Sequence, residues 1–184
     1  MNSLLVTYIL QTEKWTSPEL FETKNRIYTF LNPVSYLIAL ENKSLFEQFD
    51  GIFADGSLLV SAIRLVYGKR VTRRSFDMTS LAPELLNYLM ESRKTLYIVA
   101  SGQEQVECSV RIFQEQYPKL RIAGFRNGYF SSDAEMNKEA SHIVELNPDF
   151  LIVGMGALMQ EKFLLKVKKM GYQGIGFTCG GFVH

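Results

Sequence analysis

In Gly51-Ile52-Phe53-Ala54-Asp55-Gly56-Ser57-Leu58-Leu59-Val60 a short apolar run ends in Asp-Gly. Ser57 then opens a segment carrying Leu58, Val60, Ala62, Ile63 and Val66. The pattern predicts a buried strand, a tight turn and a helix start, with Asp55 at the C-terminal lip of the strand. Ligands of open α/β sheets sit in the crevice at such lips. A carboxylate there can take a proton from a substrate or hold a hydroxyl. Equally, Asp55 can do no more than cap the turn or the helix.

The same alternation extends in both directions. Upstream, Arg26-Ile-Tyr-Thr-Phe-Leu31 reads as a strand closed by Asn32-Pro33, with Asn32 capping a helix whose first residue is Pro33. Residues 1–25 are expected to form an N-terminal helix or arm before the first strand. Downstream, residues 68–77 are polar and basic, a loop, and a helix follows over 81–90. Strands are expected at 95–100, 120–125, 149–153 and 174–178. The helices between them cover 106–117, 134–146 and 158–170, the first two stopped by Pro118 and Asn147-Pro148. Repeated strand–helix units predict an α/β, Rossmann-like, mostly parallel sheet with helices on both faces.

At 184 residues one domain with a sizeable core is expected, and 47% hydrophobic with 21% charged residues is ordinary for a globular protein. The net charge of +1 gives no whole-molecule attraction to nucleic acid or anionic membrane. Cys108 and Cys179 fit neither zinc spacing nor a disulfide framework, which suits a reduced, cytoplasmic protein. No run approaches the ~20 apolar residues that span a bilayer.

Several features could carry chemistry. Gly154-Met-Gly156-Ala-Leu158-Met-Gln160-Glu161 joins a strand to a helix. Glycines there bring backbone N–H groups toward a phosphate at a helix N-terminus, and close helix–strand packing explains them equally. It lacks the third glycine of the dinucleotide fingerprint. Lys69, Arg70, Arg73 and Arg74 form a basic cluster, able to clamp a diphosphate or simply to solvate a loop. His142 and Glu145 lie three apart on one helix without further metal ligands, a surface pair. There is no Asp-x-Asp, no Gly-x-Ser-x-Gly and no Walker loop.

Taken in order, Asn32-Pro33, Ala54-Asp55-Gly56, Tyr117-Pro118, Gly128-Tyr129-Phe130, Gly154-Met-Gly156 with Gln160-Glu161-Lys162, and Gly180-Gly181-Phe182 resemble the WecG/TagA/CpsF family of bacterial glycosyltransferases. The resemblance runs from about residue 26 to the end. It implies an inverting transferase, needing neither metal nor cofactor, that moves a sugar from a UDP-sugar donor to a polyprenyl-diphosphate-linked saccharide. Such an enzyme serves surface polysaccharide or cell-wall polymer synthesis. By resemblance Asp55 is the general base. Asn32 falls beside the donor sugar, Arg73 faces its phosphates, and Gln160 lies at the donor site with Gly156 and Glu161. Where the family has Thr two residues before the Asn, this chain has Phe30, with Thr29 adjacent as the available hydroxyl. Leu58 and Leu158 replace a family Gly and Pro.

The family continues into a basic, amphipathic C-terminal segment that meets the membrane. Residues 1–184 are therefore expected to be a single transferase domain without that segment, peripheral at the inner face of the cell membrane when full length. Self-association is a further family trait, for which Tyr8 and Trp15 are candidate interface residues, and core packing explains both equally well. Two other readings stay open: a nucleotide-sugar-binding protein without transferase activity, and an unrelated α/β enzyme acting on a small phosphorylated ligand.

Overall fold

A computed structural model describes residues 4–183. Its strands are β1 (Arg26–Leu31), β2 (Gly51–Ala54), β3 (Thr95–Ala100), β4 (Arg121–Arg126), β5 (Phe150–Gly154) and β6 (Ile175–Thr178). They form one sheet in the order β2-β1-β6-β5-β3-β4, parallel throughout. The helices are α1 (Leu4–Thr12), α2 (Ser17–Glu22), α3 (Pro33–Glu41), α4 (Lys43–Phe46), α5 (Ser57–Tyr67), α6 (Leu81–Ser92), α7 (Gln103–Gln116), α8 (Asp133–Leu146) and α9 (Met159–Lys169). The expected α/β architecture is present, with the sheet wholly parallel.

Period-2 alternation divides the core. Ile27, Leu31, Ile52 and Val99 meet α1, α3, α5, α8 and α9 on one face. Tyr28, Phe30, Phe53 and Ile98 meet α2, α6 and α7 on the other. With both faces covered, the central strands are apolar at nearly every position, as parallel sheets require. The second face is aromatic: Phe177 stacks on Tyr28 with centroids 5.1 Å apart and lies 5.6 Å from Phe76.

Helix α1 belongs to the core. Leu5, Val6 and Ile9 of α1 are fully buried, and the Thr12 hydroxyl donates to the Ile52 carbonyl at 2.8 Å. The Arg74 N–H donates to the Ala54 carbonyl at 2.9 Å. The outer edge of β2 is thereby capped against further strand pairing. Trp15 packs edge-on to Tyr28 at 5.8 Å and Tyr8 packs on the α1 side of the core, so neither projects as a free aromatic anchor.

Asp50 fastens the opposite end of β2. Its carboxylate accepts from Arg26 at 2.8 Å, from the Ile27 N–H at 2.9 Å and from Lys168 Nζ. Burial opposes its charge, but Lys168, the Ile27 N–H and Arg26 outweigh that and hold its carboxyl below the ordinary range. Its contribution to stability is therefore present above the unfolded value of about 3.9 and lost as pH falls through the lower folded value. Asp50→Asn should cost about 3 kcal/mol at neutral pH, chiefly by stranding Lys168, since Arg26 is half-exposed. Urea melts at neutral and acid pH check this: the gap between wild type and variant should close on acidification.

Candidate active site

The topology places the ligand crevice. The chain leaves β3 toward β4 but leaves β5 toward β6, so the connections that follow these two neighbouring strands diverge in opposite directions. A cavity of about 520 Å³ opens there, lined by Ser101, Gly128–Asp133, Gly154–Gly156 and Met159 among others. A second cavity, of about 300 Å³, lies at the lips of β1, β2 and β6. It is lined by Phe30, Asn32, Asp55, Asp77, Gln160 and Gly180–Phe182, with further residues between. The turn after β5 contributes to both, Gly156 to the larger and Ala157 to the smaller. At Gly156 the backbone has φ +81°, a conformation open to glycine and strained for other residues.

Asp55 sits where its strand ends. Its N–H donates to the Leu31 carbonyl at 2.8 Å, prolonging the β1–β2 ladder by one residue, and Gly56 at φ +89° then turns the chain into α5. The Asp55 side chain is one-third exposed and faces the smaller cavity. Burial pushes its carboxyl above the ordinary value; Arg73, 3.9 Å away, pulls against this and Asp77 adds to it. The result is a carboxylate with raised basicity at a cavity wall.

Arg73 is oriented by Asp77, at 2.8 Å. Asp77 in turn accepts from the Ser75 hydroxyl at 2.7 Å and from the Thr79 N–H and hydroxyl at 2.7 and 2.6 Å. Burial works against its charge, but these bonds and Arg73 hold its carboxyl below the ordinary range. The two acids thus differ: Asp77 is locked as an anion, whereas Asp55 is held looser and more basic. The basic cluster divides likewise. Arg74 turns away, donating to the Trp15 carbonyl at 2.8 Å and covering the Phe53 ring at 5.1 Å, while Lys69 and Arg70 are exposed.

The remaining sequence candidates split into wall and foundation. Asn32 lines the cavity, its Oδ1 accepting from the Val34 and Ser35 N–H groups at 3.0 and 2.9 Å. That cap fixes the side chain with its amide NH₂ available to a ligand. Gln160 also lines the cavity but is 4% exposed, donating to Glu161 at 2.9 Å and accepting from the Gly180 N–H at 3.1 Å. Thr29 and Glu161 lie beneath it, both completely buried. Thr178 donates to the Thr29 hydroxyl at 2.9 Å, which donates to Glu161 Oε1 at 2.8 Å, and the Leu158 N–H donates to Oε2 at 2.7 Å. Burial raises the Glu161 carboxyl despite these bonds. Alternation along β1 explains why Thr29 is not a cavity residue: Phe30 faces the cavity and Thr29 faces α9.

Leu158 holds φ +73°, a conformation closed to proline, and supplies an N–H that proline lacks. A proline could neither adopt this backbone nor make this bond. The Asp77 carboxylate, the Phe76 ring and Ser101 are site residues that sequence reading passed over. Ser75-Phe-Asp77-Met-Thr79 carried a signal for the first, since alternating short hydroxyl and carboxylate side chains build self-bonded turns. His142 and Glu145 are exposed on α8, His142 edge-on to Tyr97 at 6.0 Å.

Comparison with known proteins identifies relatives of the chain. The chain is 32% identical, over 85% of its length, to a Shigella boydii protein named UDP-Gal:alpha-D-GlcNAc-diphosphoundecaprenol beta-1,4-galactosyltransferase. It is 23% identical, over 98% of its length, to the N-acetylglucosaminyldiphosphoundecaprenol N-acetyl-beta-D-mannosaminyltransferase of Bacillus subtilis (strain 168). It spans 65% of the first of these relatives and 69% of the second. A model of the Glycosyl transferase WecG/TagA/CpsF family matches residues 10–184, taking in both cavities, the Asp55 lip and the Gln160–Glu161 foundation. The chain belongs to that family.

Proposed function

We propose that the protein transfers a sugar from a UDP-sugar to a lipid-diphosphate-linked saccharide, with inversion and without a metal ion. The observation that carries this reading is the half-buried Asp55 carboxylate, raised in basicity, on a cavity wall beside Arg73 in a chain of this family. The larger cavity suits the nucleotide by size and by its place at the β3–β5 junction. The smaller one suits the sugar and the incoming hydroxyl.

In the step proposed, Asp55 accepts the proton of the acceptor hydroxyl as its oxygen attacks the anomeric carbon. The bond from that carbon to the diphosphate oxygen breaks, and UDP departs with the electron pair. A single displacement from the face opposite the leaving group inverts the centre. Arg73 offsets the charge developing on the diphosphate, the role that a metal held by Asp-x-Asp fills in other transferases. Asn32 and the Phe30 ring bound the sugar. Phe30 also favours a second reading, a UDP-sugar-binding protein without turnover, because its ring stands where the family carries a hydroxyl.

UDP titration by calorimetry, followed by UDP release in the presence of a lipid-diphosphate saccharide, separates these readings. Binding with release supports transfer, binding without release favours the second reading, and no binding rejects both. Arg73→Ala should weaken UDP-sugar binding by about tenfold or more, as loss of a charge-assisted contact does. Unchanged affinity would remove Arg73 from the diphosphate site.

A further inference from the structure

Helix α5 turns an apolar stripe to solvent. Leu58, Ala62, Leu65 and Val66 recur at the spacing of one helical face, with Leu58 and Val66 69% and Leu65 87% exposed. Only Leu59 and Ile63 of this helix are buried. The first turns of α3 repeat the pattern, with Val34 67% and Leu37 63% exposed. Scattered apolar residues are normal on a surface, but a complete stripe marks a face that meets something. Both helices start at the lips of the paired strands β1 and β2, immediately after Asn32 and Gly56, so the stripe begins at the rim of the smaller cavity.

The charge around the stripe identifies its partner. Residues 56–76 contain no Asp or Glu, while Arg64, Lys69 and Arg70 are exposed on and just beyond α5. Of the nearby acids, Asp55 and Asp77 bound that stretch and both face Arg73, at 3.9 and 2.8 Å, Glu13 is engaged by the Thr72 N–H at 2.9 Å, and Glu41 lies at the far end of α3. A second copy of this chain docked through the same face would bring two unpaired cationic sets together. An anionic surface would neutralise them.

We propose that α5, with the first turns of α3, seats on an anionic lipid bilayer. The apolar stripe enters the interface, and Arg64, Lys69 and Arg70 meet headgroup phosphates. At 11 residues α5 is far too short to cross, which leaves it lying in the interfacial plane. The proposal rests on the function above in one respect: a lipid-linked acceptor would meet the cavity rim where its anchor enters the membrane.

The test is sedimentation with vesicles of phosphatidylcholine alone or mixed with phosphatidylglycerol, with UDP affinity measured on the same samples. Wild type should bind the mixed vesicles, and Leu65→Glu with Val66→Glu should weaken that by about tenfold or more. Arg64→Gln, Lys69→Gln and Arg70→Gln together should remove the preference for phosphatidylglycerol. Both variants should keep the wild-type circular dichroism and UDP affinity, since none of these residues lines either cavity. No binding by wild type, or binding indifferent to the Glu pair, overturns the proposal. So does a wild-type dimer that the Glu pair dissolves without any vesicle binding, which assigns the face to a second copy. Vesicle binding without UDP binding would reject the proposed function and leave the docking surface standing.

Discussion

Asp55→Asn should lower turnover by about 10²–10⁴ while leaving UDP-sugar affinity nearly unchanged. The amide is nearly isosteric but cannot receive the hydroxyl proton, so the loss should fall on kcat. In wild type the acid limb of kcat/KM should lie above the ordinary aspartate value of about 3.9, because burial raises this carboxyl more than Arg73 lowers it. The sign for stability runs the other way from Asp50. A carboxyl raised on folding contributes fully below its unfolded value, and that contribution is lost as pH rises through the folded one. Asp55→Asn should therefore be neutral to stabilising at neutral pH. A large loss of stability, or equal losses in binding and rate, would mark Asp55 as a turn cap or a positioning residue.

Glu161→Ala should cost about 3–5 kcal/mol in urea denaturation, because it strips a completely buried site of its acceptor. Thr29, the Gln160 amide and the Leu158 N–H would all lose their bonds to it. Gln160 would then hold Gly180 less firmly, so KM for the donor should rise as well. Glu161→Gln keeps the volume and one acceptor oxygen and should lose less. Wild-type melting by the alanine variant would show that the network does not support the site.

The strands and most helices were legible because their signals are local. Apolar runs of strand length, the Asn32-Pro33 helix start and the Asn147-Pro148 stop each sit within a few residues of the structure they dictate. The Asp55 lip could be read for the same reason, since Asp-Gly after a buried strand fixes where the side chain emerges. The helical N-terminus was harder, because α1 earns its place by packing on β2, some forty residues later in the chain.

Within the site, residue type announced which groups could act but not which way they point. Arg73 and Arg74 are adjacent and chemically equal, yet one faces Asp55 and the other the Trp15 carbonyl. Gln160 and Glu161 are adjacent too; one reaches the cavity wall, and the other lies under the sheet lip with Thr29 and Thr178.

By itself the sequence determined an alternating α/β chain, a mostly apolar sheet interior and an acid at a strand's end, because periodicity and turn chemistry act over a few residues. Tertiary structure alone decided the strand order, the divergence of the chain after β3 and β5, the pairing of Arg73 with Asp77 and the raised basicity of Asp55. Each of those depends on burial and on groups brought together from distant parts of the chain, and no local pattern encodes them.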